Sequence, residues 1–345
     1  MNRPPAISLD LMPAFYNKHA GVTYGEAFYF DPAYRAQVER VQGRVQYDYW
    51  GRHGVGSADP QPSPNLFIQP VDLILRTQGA QWRFPEDATV ESWGEPWASL
   101  TIAEIEAIDP QAAAHHPVVD QLIAQYQELR RIYGERADIF GLKSGLMNIH
   151  TPYTTAQQLR GQGLFIEMVL DPAAARVIFD QIWAIYQAVF GRLAEVVGVT
   201  PTALQLGDCA ASLLSADVYR EVVLPVNRKL AERFAVTGYH SCGPSTHLLA
   251  EFARLPPLAN VQLGHGTDLR EAVRRFPDTH LMPLLNSTIL REGDPATVSE
   301  YVAEVVADTA PAPEVTLCAW ALDRDTPPQN VSAMYEAVEE ASVAP

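Results

Sequence analysis

The sequence predicts an α/β fold, a (β/α)8 TIM barrel with an N-terminal helical extension. Short apolar runs alternate with helical patterns from about residue 120 onward, which implies βαβ units and a parallel sheet. The apolar runs end in polar residues and then Gly or Pro. The residues with the most reactive side chains fall at those run ends, where barrels place their chemistry.

The units follow in chain order. Residues 138–142 read as a strand, followed by a loop over 148–153 and a short helix over 154–161. Asp171-Pro172 opens a long helix over 173–197, with Asp capping and Pro in the first turn. Ile178, Ile182, Ile185 and Val189 recur in it at steps of three and four. Residues 203–208 form the next strand and 215–234 the next helix, capped by Ser215. The pattern repeats with strand 235–239 and helix 244–255, then 260–264 with 268–276. It closes with 280–285 and 295–309, then 314–318 and 328–341. These are six units, and strands over 66–75 and 79–90 would complete eight. The barrel then occupies residues 65–345. Residues 1–64 read as the helical extension, with a helix opening at Asp31-Pro32 and a Gly/Pro/Ser-rich loop over 51–64. The extension covers the barrel's end or forms a homo-oligomer contact.

Composition excludes several classes. With 47% apolar and 19% charged residues, the chain of 345 is a soluble globular protein able to bury a sizeable core. It has no uncharged apolar run of about 18 residues, so no membrane span is expected. Met1-Asn2-Arg3-Pro4-Pro5 lacks the apolar stretch of a secretory signal. Lys plus Arg number 25 against 41 Asp plus Glu, and a net charge of −16 argues against nucleic acid as a partner. Three unpatterned cysteines fit a reducing cytoplasm.

His240-Ser241-Cys242 is the strongest chemical signal. If the strand runs on through Cys242, alternation puts His240 and Cys242 on one face. Cys318 ends a later strand. One imidazole and two thiolates suit zinc, and three protein ligands leave the fourth position free. Cys209, after Asp208, reads as a buried thiol rather than a ligand, and Tyr239 as packing against the helix layer. No His-x-His pair of the kind barrel hydrolases recruit and no phosphate-binding loop occurs.

These residues resemble those of the uroporphyrinogen decarboxylase superfamily, in its zinc-dependent branch of corrinoid/thiol methyltransferases. The matching features are residues 152–161 ending in Leu-Arg-Gly, Gly207-Asp208 with Tyr219-Arg220, and His240-Ser241-Cys242-Gly243. Asn286 and Cys318, followed by Thr326-Pro327-Pro328-Gln329-Asn330, complete the set. The resemblance covers roughly residues 65–340. It implies a methyltransferase that binds Zn2+ through His240, Cys242 and Cys318. The enzyme would move a methyl group between a corrinoid and a thiol or methylated small molecule. Asp208 would be catalytic, orienting His240 or approaching the metal; Asn286 would hold the substrate tail. His265 would line the pocket or merely belong to a helix-capping loop, and Asp72 would contact substrate or serve structure. The corrinoid, methylcobalamin or protein-bound, is expected on another chain. The only approach to a cobalamin-binding signature, residues 278–283, has Pro283 where Gly is required. Two alternatives stay open: a metal-free decarboxylase of the same superfamily, and a demethylase passing a methyl from a methoxy compound to cobalt(I). The decarboxylase branch's N-terminal Arg-Gln-x-Gly-Arg type motif is missing. A non-catalytic ligand-binding barrel is the remaining class.

Overall fold

The computed structural model describes residues 4–341, so Met1, Asn2 and Arg3 of the expected extension and residues 342–345 lie outside it. Eleven strands occur among the described residues: β1 (Ala6–Leu11), β2 (Asn65–Leu66), β3 (Gln81–Arg83), β4 (Glu91–Trp93), β5 (Asp138–Ile139) and β6 (Leu146–His150). They continue with β7 (Ala203–Gly207), β8 (Val236–Ser241), β9 (Asn260–Leu263), β10 (His280–Pro283) and β11 (Thr316–Leu322). Strands β6 to β10 are joined side by side, every pair parallel. The bridges Leu281↔Val315 and Leu284↔Cys318 carry the order on to β11, and β11 pairs in parallel with β1. The short strands β2 and β5 form another parallel pair. With helices packed outside these strands, the molecule is a TIM barrel.

Outward side chains explain why the helices pack. Leu206, Tyr239, Val261, Leu263 and Leu281 point away from the barrel axis and are all buried in the main apolar core. Against them lies the helix Pro172–Val197, whose Ile178, Ile182, Ile185 and Val189 are fully buried. The Asp171 side chain accepts from Ala174 N, and Gly198 at φ 81° ends the helix in the left-handed conformation that glycine favours. A second core surrounds β1 and β11, where Phe15, Trp50, Val298, Val302, Leu317, Val331 and Met334 meet.

Three expectations need correction. Residues 66–75 form no strand beyond Leu66, because Pro70–Thr77 is a helix started by Pro70. A short apolar run does not by itself separate strand from helix, and here Val71, Ile74 and Leu75 follow the helical step. Within 79–90 only Gln81–Arg83 is extended, and it pairs antiparallel with β4 in a two-stranded sheet of its own. The expected loop over 148–153 is half strand and one-third helix, since β6 runs to His150 and the helix Pro152–Arg160 starts two residues later. The expected helical extension over 1–64 does contain the helices Pro13–Ala20, Glu26–Phe30 and Pro32–Trp50. Ahead of them, however, β1 supplies a parallel neighbour to β11. Its alternation of Ile7, Leu9 and Leu11 with Ser8 and Asp10 is that of a strand with one apolar face.

Deleting residues 1–12 strips β11 of that neighbour. The truncated chain is expected to lose the cooperative thermal transition followed by circular dichroism; an unchanged midpoint would refute the structural role of β1.

Candidate metal centre

The inward faces of the strands form polar layers. Register aligns Asn148, Gln205, Gly238, Asn260 and His280 in one layer. One pleat nearer the strands' C-terminal ends, His150, Gly207, His240, Gln262 and Met282 form the next. The glycines make room for their neighbours. A Cβ on Gly238 would fall 2.0 Å from Gln205 Oε1, and one on Gly207 would fall 3.3 Å from His150 Cδ2. His150 therefore lies over Gly207, on the same inward face as His240.

Above this layer the sulfurs gather. The donor atoms of Cys209, His240 and Cys242 lie within 4.8 Å of one another. Cys318 approaches from β11, separated from His240 by one side chain. Gln262 Nε2 donates to Cys318 Sγ at 3.2 Å, while His240 Nδ1 meets Gln262 Oε1 at 2.5 Å. With Nδ1 donating, His240 keeps its lone pair on Nε2, the form a metal requires. Next to Cys318, β11 carries an extra residue: Leu9 pairs with Ala319 but Leu11 with Leu322. Ala321 takes the left-handed conformation there (φ 56°) and donates its N–H to Asp10 Oδ2 at 3.2 Å. Trp320 stands beside the centre, its ring 5.5 Å from that of His240.

Electrostatics differ sharply among these groups. The contact with Cys209 holds the Cys242 thiol down to about 4, and nearby His240 adds to the effect. The same contact pushes the Cys209 thiol up. Burial raises Cys318, only partly offset by the Gln262 amide. Burial lowers His150 to about 4, with His240 contributing, and its Nδ1 is buried without a hydrogen-bond partner. The donor set is chemically suited to zinc, a borderline-soft ion that accepts imidazole and thiolate.

Cys318 and Trp320 also line a cavity of about 710 Å³. The N-terminal helices roof it with Tyr24, Phe28 and Tyr29. Its one lining cation, Arg35, is engaged by Glu39 at 2.9 Å and lies over the Phe28 ring.

The family model of uroporphyrinogen decarboxylase (URO-D) matches residues 73–341. The chain belongs to the uroporphyrinogen decarboxylase family. A methylated-thiol–coenzyme M methyltransferase of Methanosarcina mazei is 30% identical to it over 135 residues, 39% of this chain and 34% of that relative. The chain thus matches only about a third of that relative's length. A solved structure of a methyltransferase from Methanosarcina mazei aligns with a TM-score of 0.68 at 14% identity, covering 99% of this chain and 94% of the other. That likeness speaks for the fold.

Within this URO-D barrel the expected site residues separate. His240 and Cys242 come together, and Cys318 is linked to them through Gln262. Asp208 donates its backbone N–H to His240 O at 2.7 Å, but its carboxylate does not meet the His240 ring. It follows the inward Gly207, so alternation turns it outward, fully buried among four donors: Thr151, Thr154, Asn227 and Tyr239. Tyr239 packs against Phe252 of the helix layer. Asn286 caps the helix Ser287–Glu292, its Oδ1 accepting from Thr288 N at 3.0 Å. His265 is exposed and borders a separate cavity with Asp268, Tyr301 and Glu304. Asp72 accepts from Ser92 Oγ at 2.7 Å.

Gln262 and His150 are residues that sequence reasoning missed, and Cys209, read as a buried thiol rather than a ligand, is half-buried and lies in the donor cluster. A signal for Cys209 existed. Gly207-Asp208-Cys209 and His240-Ser241-Cys242 share one spacing, and register pairs Gly207 with His240. Gln262 and His150 carry no motif, and only register exposes them.

Two outcomes follow for the buried carboxylates. Asp208→Ala strands four donors and is expected to cost about 3–5 kcal/mol in urea unfolding; a loss below about 1 kcal/mol would contradict the network. Burial raises Asp72 to about 6 from an ordinary value of 3.8. Its contribution to stability is therefore present below pH 3.8 and lost as pH rises through about 6. Relative to Asp72→Asn, the wild type should gain stability as pH falls through that window, and parallel profiles would refute it.

Proposed function

We propose that the chain is a zinc-dependent methyltransferase moving a methyl group between a corrinoid, held by another protein, and a thiol or methylated small molecule. The observation that carries this reading is the meeting of imidazole and thiols at the strands' C-terminal ends, beside a cavity, in a URO-D barrel. His240, Cys242 and Cys318 would hold the ion. When bound, zinc lowers the pKa of a coordinated substrate thiol and keeps its sulfur nucleophilic at neutral pH. The partial match to a methylated-thiol–coenzyme M methyltransferase supports the same chemistry.

The protein's own residues supply position and exclusion. Gln262 fixes the tautomer of His240 and bonds Cys318 with its other end. Trp320 and the roof of Tyr24, Phe28 and Tyr29 give the cavity apolar walls that limit water around the reacting groups. Substrate in this cavity would lie beside Cys318, so most of the rate would come from orientation and from the activated thiolate. A tetracarboxylate decarboxylase substrate suits the cavity poorly, because Arg35 is already neutralised by Glu39.

Metal analysis is expected to find about one zinc per chain, lost in His240→Ala and Cys242→Ala. Methylcobalamin should be demethylated in the presence of a thiol or, in the reverse direction, formed from a methylated donor and cobalt(I). A protein that takes up no zinc and stays active as Cys242→Ala would overturn the proposal. Gln262→Ala should weaken zinc binding about 10–100-fold in a chelator competition, as loss of a ligand-orienting partner does.

A further inference from the structure

Three donors, Cys209, His240 and Cys242, already lie together, and a fourth, Cys318, stands beyond Gln262, whereas the proposed chemistry needs only three. Cys209 and Cys242 each stand two residues beyond a register pair, Gly207 and His240, and so both follow the C-terminal ends of adjacent strands. The Cys242 thiol also reaches the Cys209 backbone, Sγ donating to Cys209 O at 3.9 Å. Two three-donor sets therefore share His240 and Cys242. Cys209 completes one, and Cys318 completes the other once the Gln262 amide gives way. Thiolates on one tetrahedral zinc at about 2.3 Å lie roughly 3.8 Å apart, so a cluster already within 4.8 Å needs only small side-chain rotations.

The two outer cysteines differ in setting. Cys318 is anchored on both sides, paired with Ser8 of β1 and bridged to Leu284, with its carbonyl accepting from Leu285 N at 2.9 Å. Cys209 lies in a turn beyond the end of β7 and ahead of the short helix Ala211–Leu213. The backbone on either side of it is held, with Asp208 N donating to His240 O and Ala210 N to Thr154 Oγ1, so exchange at Cys209 needs only a rotation of its side chain.

We propose that Cys209 is a fourth, displaceable ligand that closes the metal site at rest and yields its place to the incoming substrate sulfur. The inference rests on the zinc reading above. In the exchange the bond from Cys209 Sγ to the metal breaks as the bond from the substrate sulfur forms. The proton given up by the substrate thiol passes to the departing Cys209 thiolate. Charge is conserved, nothing is oxidised or reduced, and no separate base is consumed. Cys209 thus restricts the open coordination position to sulfur nucleophiles, because water is a poor competitor for a site held by thiolate.

Zinc-edge X-ray absorption on the zinc-loaded full chain tests this. The wild type is expected to show three sulfur neighbours and one nitrogen, and Cys209→Ser two sulfurs. Adding 2-hydroxyethaneselenol to the wild type should bring in one selenium and remove one sulfur; in Cys209→Ser, selenium should enter with the sulfur count unchanged. Circular dichroism of Cys209→Ser and Cys209→Ala checks that the fold is retained. Zinc bound with the same sulfur count in wild type and Cys209→Ser would overturn the role of Cys209 while leaving the methyltransferase reading intact. A wild type that takes up no zinc would overturn both.

Discussion

The strict two-residue alternation of the parallel strands is the constraint on which this molecule depends. It sends Leu206, Tyr239 and Val261 outward into the apolar core and His150, His240 and Gln262 inward. A shift of one residue in any of these strands would turn its inward side chains into the helix layer and its core side chains toward the barrel axis. Stability and chemistry are thus tied to the same register, and the energy of burying the outer face holds the inner face in place.

The inner face is costly to maintain. Amides and imidazoles fill the barrel where many barrels stack branched apolar side chains, and each polar group needs a partner. Some have one: His280 meets Thr316 Oγ1 at 2.9 Å, and Gln262 is used at both ends. His150 Nδ1 does not, and it lies in the layer of the candidate centre. The outward Asp208 network does structural work on the other side of the same sheet, joining β7, β8 and two helices through one buried carboxylate.

Much of this was legible in the sequence. Helices with strict periodicity, such as the capped Pro172–Val197 and Pro328–Ala341 with its leading proline, were readable because local chemistry determines them. His240 and Cys242 were readable because their spacing is a strand's. The first barrel segments were not. Residues 70–77 are apolar enough for either structure, and β1 is only six residues long, so its identity comes from β11, some 310 residues away. Asp208 was misread for a related reason: which of Gly207 and Asp208 faces inward is fixed only by the register of β7 with β8. Gln262 needed the three-dimensional pairing of β8 with β9 before its link from imidazole to thiol could be seen.

The pairing of β1 with β11 also has a temporal meaning. Cys318 is among the last residues of the barrel to leave the ribosome, and its strand neighbour is among the first. A nascent chain already presents Cys209, His240 and Cys242 while β11 is still being made. An ion captured early would meet that trio first, and Cys318 would join only when the two extremities of the barrel zip together. On the zinc reading proposed above, maturation of the centre would be subordinated to completion of the fold, since Cys318 comes into place only with the pairing of β1 and β11.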